Sequence, residues 1–350
     1  VVISGKHKNK ALNRNKLLIY NINKMDTQEL EQSLNMAYLS AMAYKSNKFI
    51  DKVWKQDNLP SKYTANPKVN ELVNFINNGN YIKNKPVFVD SLLYSDYSTQ
   101  LFHFETEKNE LVFVCRGTSD KSDVYTDLYA IKHKLYEVIY SNKYLSDNMN
   151  NSKRVKENIS VHRGFYKQYL TVKDIIRDRV REYVGLEGIE NKRIIFAGHS
   201  LGGALATIGS LLTAVHVPEN VEIECFTFGS PRVGNSGFVS VFEKYVKTNH
   251  RIVNMIDPVP MIPTRWRFRH VYGGKYLKEN DMSEDWSLKD RILSKIKKIM
   301  FCKYNIIDDH KLINYIDNIK NQIELSQNNA LVNSDTMDTD SDNEAIEINI

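Results

Sequence analysis

Cysteine is scarce: the 350 residues hold three, Cys115, Cys225 and Cys302. They cannot all pair within the chain. Cys115 and Cys225 sit in apolar, strand-like runs where a thiol acts as a small hydrophobe, so no disulfide framework is expected. No Cys/His spacing makes a zinc finger. No apolar run approaches the roughly 20 residues of a membrane span, and residues 1–24 lack the apolar stretch of a secretory signal. The reading therefore leans to a soluble, intracellular protein. The chain begins with Val1, as a fragment or processed product would, and Met25 is the natural start of the folded part. Acidic residues are missing from 1–24, which carries six basic side chains, and basic residues are missing from 334–350, which carries six acidic ones. These cancel, and the body keeps the net charge of +6. Such a surplus attracts anionic surfaces, but no aromatic-basic pattern for single strands accompanies it. Nucleic acid is thus not an expected partner, and the surplus reads as solvated surface charge.

What is present is ordinary globular composition, with 42% hydrophobic and 26% charged residues and 20 Tyr and 14 Phe for packing. Gln28 to Tyr44 carries apolar residues at steps of three and four, which predicts a helix opening the fold. Strands are predicted over Leu92 to Phe104 and Leu111 to Cys115, joined by the polar turn 106–110 into a hairpin. Residues 133–160, rich in Asn, Lys and Ser, read as an insertion rather than core. Tyr166 to Val184 returns to helical period. Arg193 to Ala197 is a short apolar run, typical of a strand buried on both faces of a parallel sheet. Leu201 to Val215 follows as an apolar helix. Val221 to Phe228 and Arg251 to Ile256 are further strands, with a helix near Phe238 to Val246 between them. Alternating strand and helix predicts a doubly wound α/β sheet. The expected organisation is a flexible basic extension over 1–24, one folded domain over 25–333 and a disordered acidic tail over 334–350.

Between the buried strand and the apolar helix stands Gly198-His199-Ser200-Leu201-Gly202, a G-x-S-x-G elbow continued by Gly203 and Ala204. A strand that turns straight into a helix strains the central residue and leaves no room for side chains on the flanking glycines. Ser200 is then presented at the carboxyl edge of the sheet, with the helix N-terminus behind it. A serine hydroxyl needs a base, and the base needs a carboxylate to hold its tautomer. In the order Ser, acid, His, the acid is Asp257, at the exit of a strand and followed by Pro258-Val259-Pro260. A turn-capping aspartate is the alternative. Of the histidines after Ser200, His216 and His250 precede Asp257 and His270 follows it too soon. His310 remains, in a polar loop that opens the helical pattern Leu312, Ile313, Ile316, Ile319; a structural histidine is the alternative. Leu201 N–H is one expected oxyanion donor. Arg116-Gly117-Thr118-Ser119 follows the strand Leu111 to Cys115, making Thr118 N–H the second candidate, although taken alone this stretch reads as a plain turn.

With these residues in view the chain resembles the class 3 lipases, the fungal triacylglycerol lipase group. The resemblance is carried by Val112-Phe113-Val114-Cys115-Arg116-Gly117-Thr118, Val161-His162-Arg163-Gly164-Phe165, Gly198 to Ala206, Thr227 to Gly234 and Asp257-Pro258-Val259-Pro260, five co-linear matches. It implies an α/β-hydrolase fold, a mostly parallel twisted sheet flanked by helices, with Ser200, Asp257 and His310 as the triad and Thr118 and Leu201 lining the oxyanion hole. It also implies a lid beginning at Asp123 to Ala130, with Asp127-Leu128 in the matching pattern. Departures from the pattern are the long insertion at 133–160, the unusually basic stretch at 278–305 and the lack of paired cysteines. In that basic stretch Ile292, Leu293, Ile296, Ile299 and Met300 share a helical face, which suits either a helix lying on anionic lipid or one packed on the sheet.

The expected activity is hydrolysis of carboxylic esters of lipids, triacylglycerols first, through an acyl-enzyme on Ser200, with no metal or organic cofactor. The substrate is a lipid ester at a lipid–water interface, with peripheral membrane contact and no obligate protein partner. A phospholipase A1 or a small-ester esterase is the alternative within enzymes. A non-catalytic lipid- or protein-binding relative is the alternative outside them.

Overall fold

The computed structural model describes residues 26–55, 65–78, 81–94, 97–117, 131–139, 158–254, 257–278, 281–283 and 310–341. The basic extension, Thr118, residues 123–130 where a lid is expected to begin, residues 140–157, the helical face expected around 292–300 and Cys302 lie outside the described residues.

The chain opens with α1 (Thr27–Met42), where Asp26 accepts the Glu29 N–H at 2.7 Å as the N-cap. Helix α2 (Asn47–Trp54), capped by Ser46, and α3 (Pro67–Asn78) follow. Next come β1 (Val87–Tyr94), β2 (Tyr97–Glu105), β3 (Leu111–Cys115), β4 (Lys132–Lys134), the short α4 (Tyr136–Ile139) and β5 (Ser160–His162). Helices α5 (Arg163–Leu170) and α6 (Lys173–Gly185) lead into β6 (Arg193–His199), α7 (Leu201–Ala214), β7 (Glu222–Phe228), α8 (Ser236–Tyr245) and β8 (Thr248–Asn254). The described chain ends with β9 (Gly274–Lys278), β10 (Asp281–Ser283) and α9 (Leu312–Ser341).

Eight strands form one sheet in the order β1-β2-β3-β6-β7-β8-β9-β10. The pairs from β3 to β9 are parallel, and antiparallel hairpins flank them on both edges. Because side chains alternate along a strand, the central strands feed two separate cores. Leu111, Phe113 and Cys115 of β3 and Ile194 and Phe196 of β6 face the helices α5 to α8. Val112, Val114, Ile195 and Ala197 face α1, α2, α3 and α9. The apolar run at 193–197 is thus buried on both sides, and the doubly wound architecture is as expected. Cys115 and Cys225 are free and buried in strands, their thiols pushed up to about 12 by burial. No helix of the described residues is long and apolar enough to cross a membrane.

Four expectations are corrected. The strand expected over Leu92–Phe104 is two, β1 and β2, paired with Tyr94 opposite Tyr97. The helix expected over Tyr166–Val184 is α5 and α6. They divide at Thr171-Val172, whose N–H groups bond three residues back to Gln168 and Tyr169 instead of four. The ends of the 133–160 segment belong to the core: β4 pairs with β5, and Leu135, Val138 and Ile159 are fully buried. Finally, α9 runs on through Ser341, so residues 334–341 continue a helix where disorder was expected. Once nucleated on the packed turn at Tyr315 and Ile316, a helix extends at one hydrogen bond per added residue.

Candidate active site

The parallel strands β3, β6, β7 and β8 release the chain at one edge of the sheet, where open α/β sheets hold their ligands. Ser200 sits there between β6 and α7, only 3% exposed, with φ +59° and ψ −128°. That is the left-handed strain expected of the elbow. Its N–H donates to Phe228 O at 2.9 Å, which ties the elbow to the end of β7. The flanking glycines are needed: a Cβ on Gly198 would strike the Gly202 carbonyl, and one on Gly202 would strike the Cys115 carbonyl. Leu201 opens α7, so its N–H belongs to the first turn, which has no carbonyl partner within the helix.

Asp257, fully buried, follows β8. Its Oδ1 accepts the Val259 N–H at 2.8 Å, and its Oδ2 accepts both His310 Nδ1–H at 2.7 Å and the Tyr315 hydroxyl. With Nδ1 donating to the carboxylate, the other ring nitrogen of His310, Nε2, is the one available to accept a proton. That Nε2 is buried and has no hydrogen-bond partner among the described residues. Gly229, at φ +59°, lies against this cluster: a Cβ there would come within 2.6 Å of Asp257 Oδ2, 2.8 Å of the Tyr315 hydroxyl and 3.0 Å of His310 Cε1. The elbow hangs from Phe228, the residue before Gly229. Asp257 and His310 are therefore joined directly, and both stand beside the Ser200 turn. Thr118 lies outside the described residues, but Gly117 just before it is close enough that a Cβ there would sit 3.3 Å from Ser200 Cβ.

The other histidines after Ser200 are engaged elsewhere. His216 bonds back to Leu212 O at the end of α7. His250 lies between Glu29 and Glu224. His270 bonds to Pro260 O at 2.6 Å, its basicity lowered by burial and by Arg251 and Arg232.

Three residues near the centre escaped the sequence reading. Tyr315 holds Asp257. His199 touches His310 ring to ring, centroids 4.5 Å apart, and its Nε2 meets the His310 carbonyl at 2.8 Å. Tyr44 reaches His199 Nδ1 with its hydroxyl at 2.9 Å. Tyr315 and Tyr44 sit on apolar helical patterns, where an aromatic reads as core. His199 is the variable position of the elbow motif, and only its position next to Ser200 was a signal.

Residues 112–266 match the family model described as Lipase (class 3). The chain is 25% identical over 185 residues to secreted mono- and diacylglycerol lipase 2 of Gibberella zeae, covering 49% of this chain and 44% of that protein. It is 36% identical over 117 residues to the chloroplastic phospholipase A1-Igamma3 of Arabidopsis thaliana, covering 31% of this chain and 22% of the relative. The chain thus spans less than half the length of these curated relatives. Among solved structures, lipase II from Rhizopus niveus superposes with a TM-score of 0.54 over 82% of this chain and 94% of that one, at 19% identity, which is a likeness of fold. Strand order, elbow and the match over residues 112–266 together make this part of the chain similar to the class 3 lipases, on the fold of the solved lipases.

Proposed function

We propose that the protein is a serine hydrolase that cleaves carboxylic esters of lipids, triacylglycerols first, through an acyl-enzyme on Ser200. The observation that carries this reading is the buried hydrogen bond from His310 Nδ1 to Asp257, which leaves Nε2 without a hydrogen-bond partner among the described residues, while Ser200 stands strained and buried at the same sheet edge. In the proposed reaction His310 Nε2 takes the Ser200 proton as Oγ attacks the ester carbonyl carbon. The Leu201 N–H, with the Thr118 N–H as second donor, holds the oxygen as it becomes an anion. The carbon–oxygen bond to the alcohol breaks, and the alcohol leaves with the proton from Nε2. Water then gives its proton to Nε2 and attacks the acyl carbon, and Nε2 passes that proton to Ser200 Oγ as the acyl carbon–Oγ bond breaks and the fatty acid leaves. Similarity to the class 3 lipases, and to a mono- and diacylglycerol lipase and a phospholipase A1, supports a lipid ester over other acyl compounds. The phospholipase relative also keeps phospholipid in view as the alternative substrate.

The test is direct. Purified protein should be labelled once by a fluorophosphonate and should release fatty acid from emulsified glycerides. Ser200→Ala should remain folded, lose the label and lose turnover by at least about 10³-fold. Retained turnover in that variant would overturn the assignment. Comparing emulsified triacylglycerol, diacylglycerol and phosphatidylcholine then ranks the substrates, and comparing micellar with monomeric short-chain esters separates an interfacial lipase from a small-ester esterase.

A further inference from the structure

His199 occupies a position that the proposed reaction leaves unexplained. It precedes Ser200 in the chain, so its backbone belongs to the elbow, yet its side chain reaches the residue proposed as base. Its Nε2 lies 2.8 Å from the His310 carbonyl oxygen. A carbonyl only accepts, so Nε2 carries the proton and Nδ1 is the acceptor. Nδ1 is met at 2.9 Å by the Tyr44 hydroxyl, which must then be the donor. Burial, with repulsion from His310 second, holds His199 well below the ordinary histidine range, and burial holds the Tyr44 phenol above its own. Both groups are therefore neutral, and each polar hydrogen has one acceptor. The space around this chain of bonds is full: a Cβ on Gly117 would collide with the Tyr44 hydroxyl and the His199 carbonyl.

We propose that Tyr44 and His199 are positioning residues that pin the main chain of His310 to the elbow bearing Ser200, an inference that rests on the lipase reading above. His310 enters the site just before α9, and among the described residues its side chain hydrogen-bonds only to Asp257. The Asp257 bond sets the tautomer and tilt of the imidazole. The His199 bond sets where the backbone of residue 310 stands relative to the nucleophile. Tyr44, following α1, locks His199 in the one tautomer that serves this. A misplacement of about 1 Å between reacting groups is enough to cost ~10²-fold in rate.

The experiment compares four variants on one soluble ester: Ser200→Ala, His199→Phe, His199→Gln and Tyr44→Phe. His199→Phe keeps a ring against His310 but has no donor, and kcat is expected to fall about 10²-fold with KM little changed. His199→Gln places an amide N–H where Nε2 stood and should recover about tenfold of that loss. Tyr44→Phe should lower kcat about fivefold, the cost of one modest hydrogen bond. In Tyr44→Phe the low-field proton resonance of the His310–Asp257 bond should also shift or broaden. If His199→Phe does not fold, Tyr44→Phe carries the test through kcat and the resonance together. Wild-type kcat in both His199→Phe and Tyr44→Phe, with Ser200→Ala inactive, would overturn the positioning role and leave the lipase reading standing. Equal loss in the Phe and Gln variants would also overturn it, because then bulk and not the donor matters. Turnover surviving in Ser200→Ala would defeat the lipase reading itself, and an unmoved resonance in Tyr44→Phe would then defeat the positioning role independently.

Discussion

Asp257 accepts three hydrogen bonds without any exposure to water, and one of them comes from Tyr315. Its phenol is held well above the usual range, by burial first and the Asp257 charge second. It therefore stays a donor at every working pH. Tyr315→Phe removes one charge-assisted hydrogen bond and little volume, and should cost about 1.5–3 kcal/mol of stability in a urea titration. Turnover should fall while His310 still holds the carboxylate; unchanged stability and turnover would show the hydroxyl to be idle. The placement of Ser200 at the elbow and the pairing of Asp257 with His310 were legible from the sequence because elbow, strand exit and loop are local patterns with chemical requirements. Tyr315 was not, since an aromatic on the apolar face of a helix looks the same whether or not its hydroxyl has a task.

At the scale of elements, α1 bridges the two ends of the sheet. Tyr44 beyond its C-terminus meets His199 at the carboxyl edge of the sheet. Near its N-terminus, Glu29 binds His250 Nδ1 at 2.8 Å and Gln32 donates to Glu224 at 3.2 Å. His250 Nε2 binds Glu224 at 2.9 Å, and Arg193 joins Glu224 to Glu110. Burial by itself would lower the basicity of His250, but its hydrogen bonds to Glu224 and Glu29 outweigh that and raise it, while the bond from His250 lowers Glu29. A histidine raised in the folded state contributes stability that is complete below its unfolded value of 6.5 and is lost as pH rises through the folded value. His199 and His270 shift the opposite way, so the effect is read as a difference. The gap in Tm between wild type and His250→Gln should be widest near pH 6 and narrow towards pH 9. A gap that widened with pH would refute the doubly bonded, protonated His250. The sequence reading placed most of these elements within a few residues. It missed the breaks at Tyr94/Tyr97 and Thr171-Val172, because apolar or helical period continues across both.

Across the whole molecule, the sheet needs both of its covers. One is α5 to α8; the other is built from the two ends of the described chain, α1 to α3 and α9. From α9 come Tyr315, Ile316 and Ile319, all nearly or fully buried. At about 1.5–3 kcal/mol for each large apolar side chain buried, ending the chain before Leu312 should leave a protein without fixed tertiary structure. Near-UV circular dichroism and fluorophosphonate labelling check this, and a truncated chain that still labelled at Ser200 would show α9 dispensable. By itself the sequence determined the fold class and the strand–turn–helix elbow, and it offered Ser200, Asp257 and His310 as candidates in that order. These follow from residue periodicity and from backbone demands that only glycine meets, and both act over a few residues. Only the tertiary structure decided that Tyr315 shares the Asp257 carboxylate with His310, and that Tyr44 and His199 reach the same place. Those contacts join positions up to 155 residues apart, and such meetings depend on how strands are ordered and helices laid across them, which no local pattern encodes.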